Sequence, residues 1–234
     1  MAKLRLEITK GEEIRYISHL DYASAMERAI IRAKLPAAYS EGFNPHMKIA
    51  FASALAVGVT SQAEYMDLDF KEEVDLVEGV KRLAAKLPPG IRVKSAKYMP
   101  ASIPALMAIV NLATYDVIVP LSGTEDYTAA QESVRRFNET QEVLYMRHTP
   151  KGRKEIEIKQ YMDKPIQIFH EGKDIKLVIH IKITPTGSIK PGEVLAALAS
   201  MFDLAVKKDS ALIDRTGLYV ATDKSCLTPI EIYG

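Results

Sequence analysis

The apolar residues of this chain recur with two different spacings, and the order of these spacings constrains the fold more than any other feature. Apolar and polar residues alternate over 4–8, which predicts a strand with one buried face. Helical spacing follows over 18–35, with Ser18 and Asp21 in capping positions and Pro36 as the stop. The predicted apolar stripe of this helix consists of Leu20, Ala23, Met26, Ile30 and Ala33.

The rest of the first half alternates between the same two patterns. Turn residues at 42–45 separate the first helix from strand-like pieces at 48–59 and 63–70. Apolar residues at helical spacing over 76–87 then precede an extended piece at 91–98. The first half is therefore predicted to have the element order β-α-β-β-α-β.

The second half repeats this order after a proline-containing connector. We predict a connector over 101–106 between an N-terminal half (1–100) and a C-terminal half (107–234). The C-terminal half has strand-like pieces at 112–119, 142–148, 155–161, 175–184 and 211–222, and helical stripes at 127–137 and after Pro191. We therefore predict an α+β protein of two ferredoxin-like halves in tandem, the second with an additional hairpin.

The charge balance and the cysteine content exclude several classes of protein. Lys and Arg number 31 against 30 Asp and Glu, so no overall field attracts nucleic acid or a membrane surface. Cys226 is the only cysteine, which excludes an internal disulfide framework and an iron–sulfur cluster held by this chain's own thiolates. No apolar run approaches the ~20 residues of a membrane span. The sequence predicts a cytoplasmic protein without membrane association.

Polar residues at the start of the first helix form the first candidate site. Ser18, His19 and Asp21 have the residue types of a hydrolytic triad, but helix neighbours one and two positions apart point in different directions. The free N–H groups and the positive dipole end of a helix favour an anion instead. We therefore predict a phosphate or RNA site formed by Arg15, Ser18, His19, His46 and Lys48. The alternative is that Ser18 and Asp21 only cap the helix and that His19 is a surface or packing residue.

Two histidines are the weak candidates for catalysis. Histidine titrates near neutral pH, so His19 and His46 could act as the acid and base of RNA cleavage. Nothing else in the sequence identifies a positioned substrate, and we assign no catalytic residue. Asp67 and Asp69 alternate on a strand, but without a third ligand at suitable spacing we predict no metal site.

Two further groups of cations could contact RNA phosphates. The first group lies at a predicted hairpin turn and consists of Arg147, Lys151, Arg153 and Lys154. The second group lies opposite the apolar face of the strand over 175–183 and consists of Lys176, His180 and Lys182. The alternative for the hairpin group is a solvated charged turn.

Two segments carry a specific resemblance to a known family. They are RYISHLD at 15–21 and AYSEGFNPH at 38–46, and later blocks include SIKP at 188–191 and RTGLY at 215–219. On these segments the chain resembles the bacterial radical-SAM-linked proteins over nearly its whole length. Small departures are Met47, Ala54 and Ala56, which stand where that family often has proline.

The resemblance implies a partner rather than a reaction. Members of that family are bacterial proteins of unknown function encoded beside, or fused to, a radical S-adenosylmethionine (SAM) protein. We therefore expect a non-catalytic accessory or substrate-recruiting protein for a radical-SAM partner, with RNA such as tRNA or rRNA as a ligand. S-adenosylmethionine and an iron–sulfur cluster are then expected only in the partner, with no cofactor on this chain. The open alternatives are an RNA-processing endonuclease or RNA-modification enzyme using histidine acid/base chemistry, and a protein-interaction adaptor.

Overall fold

The chain forms two compact units in a computed structural model. The residues described are 2–100, 102–122, 127–149 and 152–232. Unit 1 comprises Met1–Asn111 and Gly217–Gly234, and unit 2 comprises Leu112–Thr216. Residues 217–234 thus group with unit 1, although the sequence assigned them to the C-terminal half.

Unit 1 contains the elements predicted for the first half. In chain order these are β1 (Ala2–Lys10), α1 (His19–Arg32), β2 (Ile49–Phe51), β3 (Val59–Phe70), α2 (Leu76–Ala84), β4 (Val93–Met99) and the short helix α3 (Leu106–Ile109). Strand β1 lies between β3 and β4 and runs antiparallel to both, and β2 pairs with β3. Over residues 1–100 the observed order is the predicted β-α-β-β-α-β.

The core of unit 1 lies on one face of this sheet. The alternating residues Leu4, Leu6 and Ile8 are all buried, as their spacing predicts. They pack in one apolar cluster with residues of α1 that include Tyr22 and Met26. Burial of these side chains is the main force that holds the helix against the sheet.

The opposite face of β1 carries charged side chains. A ladder of ion pairs joins β1 to its neighbours: Lys3–Asp69 at 2.8 Å, Arg5–Asp67 at 2.7 Å and Glu7–Lys94 at 2.7 Å. Arg5 is fully buried, and its Nη1 donates a further hydrogen bond to the carbonyl oxygen of Pro229 at 2.8 Å. This bond ties the C-terminal segment to β1 in unit 1.

Unit 2 has three antiparallel strands that belong to the large sheet, and a separate hairpin. Its elements are β5 (Leu112–Pro120), α4 (Tyr127–Glu139), β6 (Leu144–Thr149), β7 (Gly152–Glu157), β8 (Gln167–Glu171), β9 (Asp174–Lys182) and α5 (Pro191–Met201). Strand β9 runs antiparallel to both of its neighbours, β5 and β8. Strands β6 and β7 pair only with each other among the described residues, as the extra hairpin in the prediction requires. Strand β10 (Leu212–Ala221) begins in unit 2 and ends in unit 1, where β11 (Cys226–Leu227) pairs with it.

The buried face of β9 is the one that its sequence predicts. Ile175, Leu177, Ile179 and Ile181 are all buried. Strand β8 was not predicted, because most of its side chains are exposed and it lacks the apolar alternation of a half-buried strand. The protein is therefore a mixed α+β fold with a large, mostly antiparallel sheet and few helices. Within the described ranges, no helix combines the length and apolar character needed to cross a membrane.

Candidate functional site

Arg15, a predicted phosphate ligand, is bound to other parts of unit 1. Its side chain is 5% exposed. Nε donates to Glu12 Oε2 at 2.8 Å, and Nη1 donates to the carbonyl oxygen of Gly58 at 2.7 Å. The Arg15 carbonyl in turn accepts from Gly58 N–H at 3.0 Å and from Lys10 Nζ at 3.0 Å. The hydrogen bonds from Arg15 lower the pKa of Glu12. Arg15 thus fixes the chain before α1 against the start of β3.

The start of α1 is closed by its own side chains. Ser18 Oγ accepts from Asp21 N–H at 3.1 Å, while Asp21 Oδ2 accepts from Ser18 N–H at 3.3 Å and from Ser18 Oγ–H at 2.7 Å. An anion here would meet the Asp21 carboxylate, which repels it. His19 is the first residue of α1, and its ring packs edge-on against the Phe51 ring, with 5.1 Å between the ring centroids. The geometry supports the capping alternative for Ser18 and Asp21.

His46 and Lys48 lie in the loop that leads into β2. The His46 side chain is exposed. The loop is held by two hydrogen bonds, in which His46 N–H donates to Ser40 Oγ at 3.0 Å and the His46 carbonyl accepts from Ser40 N–H at 2.8 Å. Lys48 N–H donates to the carbonyl of Ala38 at 2.8 Å, and the Lys48 carbonyl accepts from Asp69 N–H at 3.0 Å. The loop therefore returns to the sheet as expected. Convergence of His46 with His19 stays a prediction.

Exposed apolar and acidic side chains surround the start of α1. Between residues 11 and 24, the exposed side chains are Glu12, Glu13, Tyr16, Leu20 and Asp21. Tyr16 and Leu20 are each 77% exposed, and Val57 is 58% exposed. Val57 precedes Gly58, which is hydrogen-bonded to Arg15, so Val57 lies beside the segment that carries Tyr16. We call Glu12, Glu13, Tyr16, Leu20, Asp21 and Val57 the α1 surface.

The prediction that Leu20 belongs to the buried stripe of α1 was wrong. The buried residues of this helix are Tyr22, Met26, Ala29 and Ile30, which share one face. Leu20 precedes Tyr22 by two positions, and two residues on a helix are about 200° apart. If Tyr22 had been placed in the buried stripe, Leu20 would have been predicted to be exposed. The α1 surface would then have been recognised from the sequence.

The predicted RNA-binding residues of the β6–β7 hairpin are of two kinds. Arg147 forms a two-bond ion pair with Glu193 at 2.6 and 2.7 Å, and also donates to the Ser188 carbonyl at 2.9 Å. Arg147 is therefore a structural residue that fixes the hairpin to the start of α5. Arg153 and Lys154 are exposed, and neither has an ion-pair partner in the described part of the chain. Lys151 lies outside the described residues.

Lys176 on β9 is less available than its position on the strand suggests. Its Nζ lies 3.4 Å from Glu171 Oε1 and 3.8 Å from Asp116 Oδ2. It also lies 5.4 Å from the ring centroid of Phe169, which is 45% exposed. Two carboxylates thus offset the charge that was expected to attract phosphate.

His180 and Lys182 occupy the same outward face of β9. His180 is half-buried, and burial, reinforced by the charge of Lys164, lowers its pKa. His180 is therefore neutral near pH 7, and its buried Nδ1 has no hydrogen-bond partner among the described residues. Lys182 is also half-buried, opposite Leu112 of β5. This face is less basic than predicted, because one of its three predicted cations is neutral and another is paired.

The carboxylates considered as metal ligands have other partners. Asp67 and Asp69 hold the ion pairs with Arg5 and Lys3 in the ladder on β1. Over the ranges that the structure describes, no three His, Cys, Asp or Glu side chains come together in a way that could hold a metal ion.

A family match covers most of these features. Residues 3–191 match a family of uncharacterised proteins conserved in bacteria, DUF2344. The chain belongs to this family. The matched range includes the α1 surface, the loop with His46 and the hairpin of β6 and β7. No curated protein matches the DUF2344 chain in sequence.

Three solved structures resemble this chain to different degrees. A chain in the crystal structure of a Cbf5–Nop10–Gar1 complex has a TM-score of 0.54 and 11% identity, over 95% of this chain and 50% of that one. A chain of the archaeal box H/ACA sRNP Nop10–Cbf5 complex has a TM-score of 0.44 and 10% identity, over 92% of this chain and 46% of that one. An unknown protein from Galdieria sulphuraria has a TM-score of 0.26 and 9% identity, over 92% of this chain and 96% of that one. The DUF2344 chain spans about half the length of the first two, and the first likeness supports the fold alone.

Proposed function

We propose that this DUF2344 chain is a non-catalytic accessory protein that recruits substrate to a radical-SAM partner. The observation that carries this proposal is the exposure of Tyr16 and Leu20, each 77% exposed in one of the two segments on which the family resemblance rests. Single exposed apolar side chains are common on protein surfaces, but a group of them on neighbouring segments, such as Tyr16, Leu20 and Val57, is typical of an interaction site. The first role of this segment is therefore to bind another protein.

The proposal divides the chemistry between the two proteins. In this proposal S-adenosylmethionine and the iron–sulfur cluster belong to the partner, because the single cysteine of this chain cannot hold a cluster. Cys226 is an exposed free thiol, which fits the reducing cytoplasm where we place the protein. We also retain two ferredoxin-like halves in tandem as our interpretation of the architecture.

The recruited substrate in this proposal is RNA, such as tRNA or rRNA. Its contact is the hairpin of β6 and β7, where the exposed side chains of Arg153 and Lys154 can each bind a phosphate. The ion pair of Arg147 with Glu193 fixes this hairpin to α5, so the two cations are presented on a positioned element. Contacts of this kind give affinity with little dependence on sequence, as expected for a protein that delivers RNA to another enzyme.

Replacing Arg153 and Lys154 together by glutamine should weaken RNA binding and reduce the slope of log affinity against log salt by about 2. The free energy of unfolding should change by less than about 0.5 kcal/mol, because both side chains are exposed. Filter binding at several salt concentrations provides the measurement. The matched control replaces Lys207 and Lys208, another adjacent exposed pair in unit 2, by glutamine. Equal loss in both variants would show that general charge, rather than the hairpin, binds RNA.

Co-purification tests the proposed function as a whole. The full chain is co-expressed with a radical-SAM protein of the same organism, purified by a tag on this chain, and analysed for both bound protein and bound RNA. We expect the radical-SAM protein and RNA to be recovered together. A complex that contains the protein but no RNA would favour the adaptor alternative. Recovery of neither would contradict the proposal.

A further inference from the structure

We infer that the α1 surface binds a protein whose complementary surface is an apolar pocket bordered by lysine or arginine side chains. This inference rests on the proposed function and specifies the chemistry of the partner at that site. It concerns the side chains that the fold exposes at this position and the charge around them.

The apolar part of the α1 surface is held in place before any partner binds. Arg15 and Gly58 are joined by a backbone bond of 3.0 Å and a guanidinium bond of 2.7 Å, which places Tyr16 and Val57 on neighbouring segments. The capping box of Ser18 and Asp21 fixes the first turn of α1, which carries Leu20. Because the backbone of these segments is already ordered, binding of their side chains in a pocket costs little backbone entropy, and this favours tight binding.

The charged part of the α1 surface is acidic. Glu12, Glu13 and Asp21 are exposed carboxylates, while Lys10 and Arg15 of the same segment are buried. The loop between α2 and β4 has two exposed cations, Lys86 and Arg92. Arg92 is the one beside β1, because its carbonyl accepts from Thr9 N–H at 3.0 Å, whereas the Lys86 carbonyl accepts from Arg32 at the other end of α1. Because Glu12 is paired with Arg15, the two carboxylates that remain beside Arg92 are Glu13 and Asp21, an excess of one negative charge. A partner with basic residues around its pocket is therefore attracted, and an RNA backbone is repelled.

Glu13 is the carboxylate that tests this charge without disturbing the fold. Glu12 is bound to Arg15 and Asp21 caps α1, so a change at either would also alter structure. Replacing Glu13 by lysine should weaken the complex with the radical-SAM protein by about tenfold, and the wild-type complex should weaken as salt rises. The matched control is Glu73→Lys, which makes the same change at another exposed position of unit 1.

The affinities are measured by titration calorimetry with the purified full-length chain and the radical-SAM protein. Loss of affinity in Glu13→Lys but not in Glu73→Lys, with a salt dependence that Glu13→Lys reduces, supports the inference. A complex that forms normally but is indifferent to Glu13→Lys and to salt overturns the inference and leaves the proposed function standing. Absence of any complex with the wild-type chain removes both. The inference is also overturned if tRNA or rRNA binds wild type and Leu20→Ala abolishes that binding.

Discussion

Replacing Arg5 by alanine should lower the free energy of unfolding by about 3–5 kcal/mol. The guanidinium is fully buried and is bound to Asp67 at 2.7 and 2.8 Å and to the carbonyl of Pro229 at 2.8 Å. Without Arg5, the Asp67 carboxylate would remain buried without a counter-charge, and the C-terminal segment would lose its bond to β1. Denaturant unfolding of the purified chain measures the change.

Two control variants distinguish this effect from general loss of charge. Lys3→Ala removes the neighbouring pair with Asp69, whose side chains are 24% and 27% exposed, and should cost less than about 1 kcal/mol. Arg5→Met with Asp67→Leu removes both buried charges and should recover most of the lost stability. A loss in Arg5→Ala no greater than in Lys3→Ala would show that the buried pair does not hold unit 1 together.

Replacing Tyr16 and Leu20 together by alanine should weaken the proposed complex with a radical-SAM protein by at least about a hundredfold. Central apolar and aromatic side chains of an interface often cost about 2 kcal/mol or more each when truncated, and about 1.4 kcal/mol is a factor of ten. Both side chains are 77% exposed, so each truncation should change the stability of the free chain by less than about 0.5 kcal/mol. Calorimetric titration and thermal unfolding measure the two quantities.

The matched control variant changes one residue of α1 and one residue of α2. Ile31 on α1 is 58% exposed and Val77 on α2 is 76% exposed, so Ile31→Ala with Val77→Ala also truncates two exposed apolar side chains, but elsewhere on unit 1. We expect the control pair to bind the partner with wild-type affinity. If both double variants bind equally well, the α1 surface is not where the partner docks.

The sequence was most informative where structure depends on neighbours along the chain. The alternation of Leu4, Leu6 and Ile8 predicted the buried face of β1, and Ser18 with Asp21 predicted the start of α1. Both signals are local, because a strand alternates its faces and a cap binds within three residues. Strand β8 was missed because an exposed strand of this kind leaves little hydrophobic pattern.

The candidate site was harder to predict because its cations are paired over long distances in the sequence. Arg15 is next to a helix start, as a phosphate ligand would be, but its guanidinium binds the carbonyl of Gly58. Arg147 lies in a basic stretch, but Glu193, which is 46 positions away, holds it. The same patterns of residues therefore predicted ligand sites where the fold has formed internal contacts, and left Arg153 and Lys154 as exposed cations.

Hydrogen–deuterium exchange of the chain with and without the radical-SAM protein tests the central claim most directly. The claim is that this protein docks on that partner through the α1 surface. Binding should slow amide exchange in residues 11–24 and in the segment around Val57, because a bound partner excludes water from them and suppresses local opening. Protection should not appear at Ile31, which lies near the other end of α1. A complex whose protection is confined to unit 2, with 11–24 unchanged, would contradict the account.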